Sequence, residues 1–235
     1  MMLPALAVDW LQLLPLAVLG AVLGLDVVSF PQAMISRPIV ASTLAGAMLG
    51  HPERGLVMGV ALEFFALESM PFGASRYPEW GSASVVGGAL FAMTPDGTPA
   101  AMTLAALAAL AAAQLSGLSM VALRQLNARL ARGQQRQLAA GSGAAVTRLQ
   151  FAGMAADLLR GGALTMLALA VFTPLRVAIL ATFTFPNTLS RAVVVSVASA
   201  VGLAAVWKVT STTPGARWWL LGGLALGFAL AGGLW

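Results

Sequence analysis

Apolar residues run along this chain in blocks, and polar residues interrupt the blocks at a few places. The run 97–123 carries no charge. It exceeds the roughly 20 helical residues that cross a hydrocarbon core of about 30 Å, so it predicts one full membrane span. The other runs are shorter: 10–25 lies between Asp9 and Asp26, 55–62 stops at Glu63, and 192–207 stops at Lys208. Runs 161–175 and 177–190 are parted by Arg176, the second contains Pro186-Asn187, and 218–235 closes the sequence. Such interruptions predict broken or re-entrant helices, because non-helical backbone at membrane depth persists only where protein covers it.

Composition moves the solvent from water to lipid. Of 235 residues, 59% are hydrophobic and 9% charged, against about 25% charged in an ordinary soluble domain. The chain therefore reads as an all-α, polytopic integral membrane protein. With no cysteine and one histidine, His51, disulfides, thiolate nucleophiles and Cys-ligated metals are excluded and no metal or cofactor is expected. No nucleotide-binding glycine loop and no hydrolase elbow occurs, so no catalytic residue is assigned. The N-terminus carries Asp9 and no basic residue before its first apolar run, unlike a cleaved secretory leader.

The charge pattern gives a topology. Residues 124–148 hold Arg124, Arg129, Arg132, Arg136 and Arg148 and no acidic residue, with a flexible stretch expected at 139–145. The positive-inside rule places this connector in the cytoplasm. One hairpin through Pro186 then returns Lys208 and Arg217 to the same side. A net charge of +5 is thus topogenic, and no nucleic-acid partner is expected. The chain reads as one membrane domain, 1–235, with a glycine-rich half, 1–96, and a more regular helical half, 97–235. Small-xxx-small spacing at Gly20/Gly24, Gly46/Gly50, Gly55/Gly59 and Gly223/Gly227 predicts close helix packing, within the chain or against a second membrane protein.

Candidate chemistry concentrates in 29–80, where Gln32, Ser36, Arg37, Glu63, Glu68 and Arg76 stand among apolar neighbours. Ionisable groups at membrane depth are costly and mark function by default. Glu63 lies inside an apolar segment. Glu68, five residues later, is rotated by about 140° on a helix, so the two do not form an acid–base dyad. Glu63 also reads as an ion-pair partner of Arg37 or Arg76. A carboxylate accepts from neighbouring hydroxyls, an amide such as Gln32 donates and accepts, and an arginine adds fixed donors. That combination suits a neutral polyhydroxylated ligand, with Phe72, Tyr77 and Trp80 available as an apolar cover. Pro38 predicts a helix start or break at Arg37, and Pro71-Phe72-Gly73-Ala74 predicts a turn.

These residues also carry a resemblance. Ser36-Arg37-Pro38 opening a glycine-spaced helix to Gly50, a second glycine-spaced helix from Gly55 to Glu63, and Pro71-Phe-Gly-Ala74 resemble the membrane IIC component of mannose-family (mannose–fructose–sorbose) phosphotransferase systems. The motif set covers 32–88, with helices expected in family positions beyond it. It departs at His51, where the family commonly has Asp, and at Leu67-Glu68-Ser69-Met70.

The resemblance implies an elevator-type subunit that carries a hexose-like sugar across the bacterial cytoplasmic (inner) membrane. It would pair with a IID membrane protein, as a trimer of IIC–IID pairs. Phosphorylation would fall to a separate IIB protein supplied by IIA and phosphoenolpyruvate, so this chain would carry no phosphoryl-accepting residue. Glu63 corresponds to the family's membrane glutamate near the sugar, and Gln32, Ser36 and Arg37 occupy the motif that opens the core. Two other readings stand beside this one: a sugar-binding sensor or scaffold that does not transport, and an ion-coupled secondary transporter.

Overall fold

The computed structural model describes residues 10–69 and 76–232, and among them it is helical without a strand. Helix α1 (Trp10–Asp26) leads through a loop, 27–37, into a hairpin of α2 (Pro38–Met48) and α3 (Pro52–Glu68). After 76–79 come α4 (Trp80–Ala92), α5 (Pro99–Gly133), the short α6 (Gln135–Ala139), α7 (Gly143–Thr182), α8 (Asn187–Thr210) and α9 (Ala216–Gly232). The turn at Pro71–Ala74, with Phe72, and the side chain of Glu68 lie outside the described residues.

Local chemistry sets the starts. Pro38, Pro52 and Pro99 each open a helix, where the missing N–H costs nothing and the fixed φ fits. The Glu79, Thr98 and Ser142 side chains each accept from a backbone N–H of the first turn they precede, an N-cap worth about 1 kcal/mol. Helices α5, α7 and α8 are long and apolar enough to cross a membrane. By contrast α2 has 11 residues and α4 has 13, about 17 and 20 Å of helix, too short to span alone.

Of these, α4 forms the interior, while α2 buries only one face. Helix α4 is buried on nearly every side and packs against α1, α2, α3, α5 and α7, as expected of a helix apolar all round. Small residues make this approach feasible. A Cβ on Gly55 would lie 2.3 Å from the Ser42 carbonyl oxygen, and one on Gly88 2.5 Å from the same atom. Two of the glycine pairs seen in the sequence and one member of a third thus pack within the chain: Gly20 and Gly24 face α7, while Gly46, Gly55 and Gly59 face across the α2–α3 hairpin; Gly50, the partner of Gly46, has open space at its Cβ position. Gly223 and Gly227 on α9 have open space at their Cβ positions.

The bundle has two distinct ends. At one, Arg54 at the start of α3 donates to the carbonyls of Ala92, Thr94 and Pro95, at 2.9 Å for the last. It thereby ties the α2–α3 hairpin to the C-terminus of α4, beside Pro99. At the other, α5 and α7 run on past the bundle into the arginine-bearing extension.

Three expectations change. The predicted break at Arg176 is absent: α7 runs unbroken from Gly143 to Thr182, with Pro174 inside it. Arg176 Nη1 donates to the Leu90 carbonyl at 2.6 Å and to Thr94 Oγ1, so dipoles at the end of α4 receive the guanidinium and the helix need not end. Helix α3 likewise continues beyond Glu63 to Glu68, because Glu63 turns sideways onto the start of α2. The stretch expected to be flexible at 139–145 is a tight turn, with Gly141 at φ 73°, between α6 and the Ser142-capped start of α7.

Candidate functional site

Asp26 ends α1 and is 2% exposed. Its two carboxylate oxygens accept from the backbone N–H of Ala33 at 2.7 Å and of Ser36 at 2.9 Å. One buried carboxylate therefore organises the connection from α1 to α2, in which Gln32 and Met34 take left-handed φ values of 58° and 62°. Each such residue is strained by about 1–2 kcal/mol, which the Asp26 hydrogen bonds help to offset. The Gln32 amide donates to the Val28 carbonyl at 2.7 Å.

This loop forms one wall of a cavity of about 390 Å³, whose lining includes Asp26, Gln32, Ser36, Arg37, Tyr77 and Trp80. Trp80 Nε1 donates to Ser69 Oγ at 2.9 Å, which closes the far wall. Tyr77 is held from outside: Arg124 donates to its hydroxyl at 2.8 Å and lies 5.2 Å from its ring centroid. A donor arginine, a mixed amide, a hydroxyl and two aromatic faces converge on a space large enough for a monosaccharide. Another concavity, about 640 Å³ between α8 and α9, has a largely apolar lining and offers nothing comparable to a polyol.

Glu63 is not among the residues lining the cavity. It forms an ion pair with Arg37 and accepts from the Ile39 backbone N–H at 3.2 Å. The carboxylate thus sits on the N-terminal turn of α2, where the helix dipole favours negative charge, and turns the Arg37 guanidinium. Arg76 is exposed at the head of the segment entering the cavity wall and is not part of the lining.

Behind the cavity lies a polar cluster. Glu79 and Asp157 are both fully buried, and the Arg160 side chain is nearly so. Arg160 Nε donates to Asp157 Oδ1 at 2.9 Å, and Nη1 donates to Ser116 Oγ at 2.8 Å. The Ser116 hydroxyl in turn donates to Glu79 Oε2 at 2.6 Å, and Ser82 Oγ donates to the same oxygen. Ser29 donates to Asp157 Oδ2 at 2.7 Å. Every carboxylate oxygen has a donor, which is the condition for burying charge without a prohibitive penalty. The cluster fastens the 27–37 loop, α4 and α5 to α7.

Residues 10–233 match the family model described as the sorbose-specific IIC component of the phosphotransferase system. The chain belongs to this IIC family. The "PTS system sorbose-specific EIIC component" of Lacticaseibacillus casei is 30% identical over 34% of this chain and 29% of its own length. The "Fructose permease IIC component" of Bacillus subtilis (strain 168) is 36% identical over 32% of this chain and 28% of its own. In these matches the IIC chain spans less than a third of either relative. Two solved structures share the fold. One, described as a membrane protein, superposes with a TM-score of 0.73 at 19% identity, covering 97% of this chain and 92% of the other. The second, the mannose transporter ManYZ with microcin E492 (MceA), gives 0.60 at 18% identity, covering 96% and 87%.

Of the residues singled out in the sequence, Gln32, Ser36 and Arg37 meet in one cavity, with Tyr77 and Trp80. Glu63 stands one contact behind. Sequence reasoning missed Asp26 as the organiser of the loop and Arg160 altogether. The available signal was the Asp157–Arg160 spacing, an i,i+3 opposite-charge pair inside an otherwise apolar helix.

Proposed function

We propose that this IIC chain is the sugar-translocating membrane subunit of a phosphoenolpyruvate-dependent phosphotransferase system, binding a hexose-like sugar in the 390 Å³ cavity. The observation that carries the reading is the convergence of Gln32, Ser36 and Arg37 with Tyr77 and Trp80 around that space. In this role Arg37 and Gln32 hydrogen-bond sugar hydroxyls, and the aromatic rings cover an apolar sugar face. Glu63 fixes Arg37, and Asp26 fixes the backbone of the loop. Glu68 and Arg76 are candidates for the mouth of the same site.

The arginine-bearing extension of α5, α6 and α7 supports a cytoplasmic placement of that end, and with it a bacterial cytoplasmic membrane. The cavity lies toward that end, since Tyr77 is held by Arg124 at the root of the extension. A sugar bound there is accessible to a cytoplasmic IIB protein, which supplies the phosphoryl group. The ManYZ likeness supports pairing with a IID membrane subunit, and we extend this to a trimer of such pairs, with IIA upstream of IIB.

The test uses right-side-out vesicles containing the chain with its membrane partner, loaded with phosphoenolpyruvate and the cytosolic phosphotransferase proteins, and offered labelled fructose, sorbose and mannose. Chain-dependent accumulation of sugar phosphate is the expected result. Free sugar accumulating in an uncoupler-sensitive way, with the relay verified as active, would instead make the chain a gradient-driven transporter.

A further inference from the structure

The bundle end opposite the arginine-bearing extension contains a second polar cavity, of about 560 Å³, between the 93–98 connection and the segment joining α7 to α8. Its lining includes Arg176, Thr94, Asp96, Asn187, Phe183 and Phe185. Arg176 is 7% exposed. No carboxylate among the described residues pairs with it. Its Nη1 is occupied by Leu90 and Thr94, and its Nε is buried without a partner. Removing a guanidinium from water in this way is costly unless other donors and acceptors balance it, and helix packing alone would have been served by an apolar side chain.

The remaining lining indicates what visits. Asp96 and Asn187 are exposed, so the rim offers a carboxylate acceptor and a mixed amide above a cationic floor. An anionic ligand would meet Asp96 unfavourably, and a cationic one would meet Arg176. A neutral polyol satisfies both, donating to Asp96 and accepting from Arg176. Phe183 and Phe185, with ring centroids 6.2 Å apart, supply the apolar face that such ligands also need. Along α5 this cavity, at Ala100, is about 25 Å from Gly117, which packs on Tyr77 of the first one.

We propose that this second cavity is an outward-facing subsite that receives the sugar before it reaches the inner pocket. The inference rests on the functional reading given above, and deepens it by assigning an entry site.

The absence of cysteine makes a direct test available. Thr184→Cys introduces one thiol in the exposed lining of the outer cavity; Met34→Cys does the same in the inner one. Each chain, co-expressed with its membrane partner, is treated with a membrane-impermeant maleimide, in right-side-out vesicles for Thr184→Cys and inverted ones for Met34→Cys. Fructose, sorbose and mannose are present or absent.

The expected result is that Thr184→Cys labels from outside and that one of the sugars slows the labelling several-fold. Adding Asp96→Asn should weaken that sugar's protection by about tenfold in concentration, the cost of one hydrogen bond to a charged group. Failure to label from outside, labelling that sugar leaves unchanged, or protection that survives Asp96→Asn intact overturns the subsite. Protection at Met34→Cys without protection at Thr184→Cys overturns the subsite alone, whereas protection at neither also overturns the sugar-binding reading.

Discussion

Glu63 and Arg37 show how one carboxylate acts through its neighbour. Both side chains are only part-buried, so the pair alone contributes little to stability. Its consequence is directional, because the guanidinium that lines the cavity is held from behind. Glu63→Gln keeps the volume and one acceptor for the Ile39 N–H but loses the charge that orients Arg37. Sugar affinity of the purified complex should fall by about tenfold or more, the cost of a charge-assisted hydrogen bond, with assembly intact. Affinity equal to that of the unmodified chain would remove Glu63 from the site. Both residues were legible in the sequence, as lone charges beside a proline and within an apolar run. Glu79 gave no such signal: it stands in the loop before Trp80 with no role assigned to it, and its hydrogen-bond partner Ser116 and the nearby Arg160 come from α5 and α7, far along the chain.

At the scale of elements, close backbone contact and the buried polar cluster can be separated by mutation. A Cβ at Gly55 would press on the Ser42 carbonyl, whereas one at Gly223 meets nothing within 4 Å. Gly55→Ala should therefore destabilise by about 1–3 kcal/mol. Gly223→Ala should be neutral or slightly stabilising, since alanine is the better helix former. Comparing unfolding midpoints of the two variants in detergent checks this, and equal midpoints would contradict the packing described for the α2–α3 hairpin. Arg160→Met leaves Glu79 and Asp157 buried together without their shared cation, a loss of about 3–5 kcal/mol. Asp157→Asn, which keeps the acceptor for Ser29, should cost less; the reverse order of midpoints would show that the cluster is not organised around Arg160. Helix positions were mostly legible from the apolar runs, but α7 read as two segments. A charge in an apolar run marks a helix end only if nothing receives it, and the Leu90 carbonyl that receives Arg176 is 86 residues away.

At the scale of the whole molecule, the asymmetry is in charge and length. Helix α5 has 35 residues, about 52 Å, against a hydrocarbon core of about 30 Å. Its surplus, with α6 and the start of α7, carries Arg124, Arg129, Arg132, Arg136 and Arg148. Of these, Arg124 reaches back to Tyr77 in the cavity wall, while Arg129, Arg132 and Arg136 are exposed. The three exposed arginines can thus be changed without touching the cavity. Replacing them together by Gln should leave sugar affinity unchanged, while reducing either correctly oriented insertion, through loss of the positive-inside signal, or the rate of sugar phosphorylation, through weaker attraction of an acidic or phosphorylated cytoplasmic protein. Salt separates the two, because long-range attraction is screened as the Debye length shrinks from about 10 Å at 0.1 M towards 3 Å at 1 M. A phosphorylation defect that is large at low salt and disappears at high salt identifies the extension as a docking surface, and a salt-independent loss of oriented protein identifies it as topogenic. Lower sugar affinity in correctly oriented chains would contradict both, and would mean that the extension belongs to the sugar site itself.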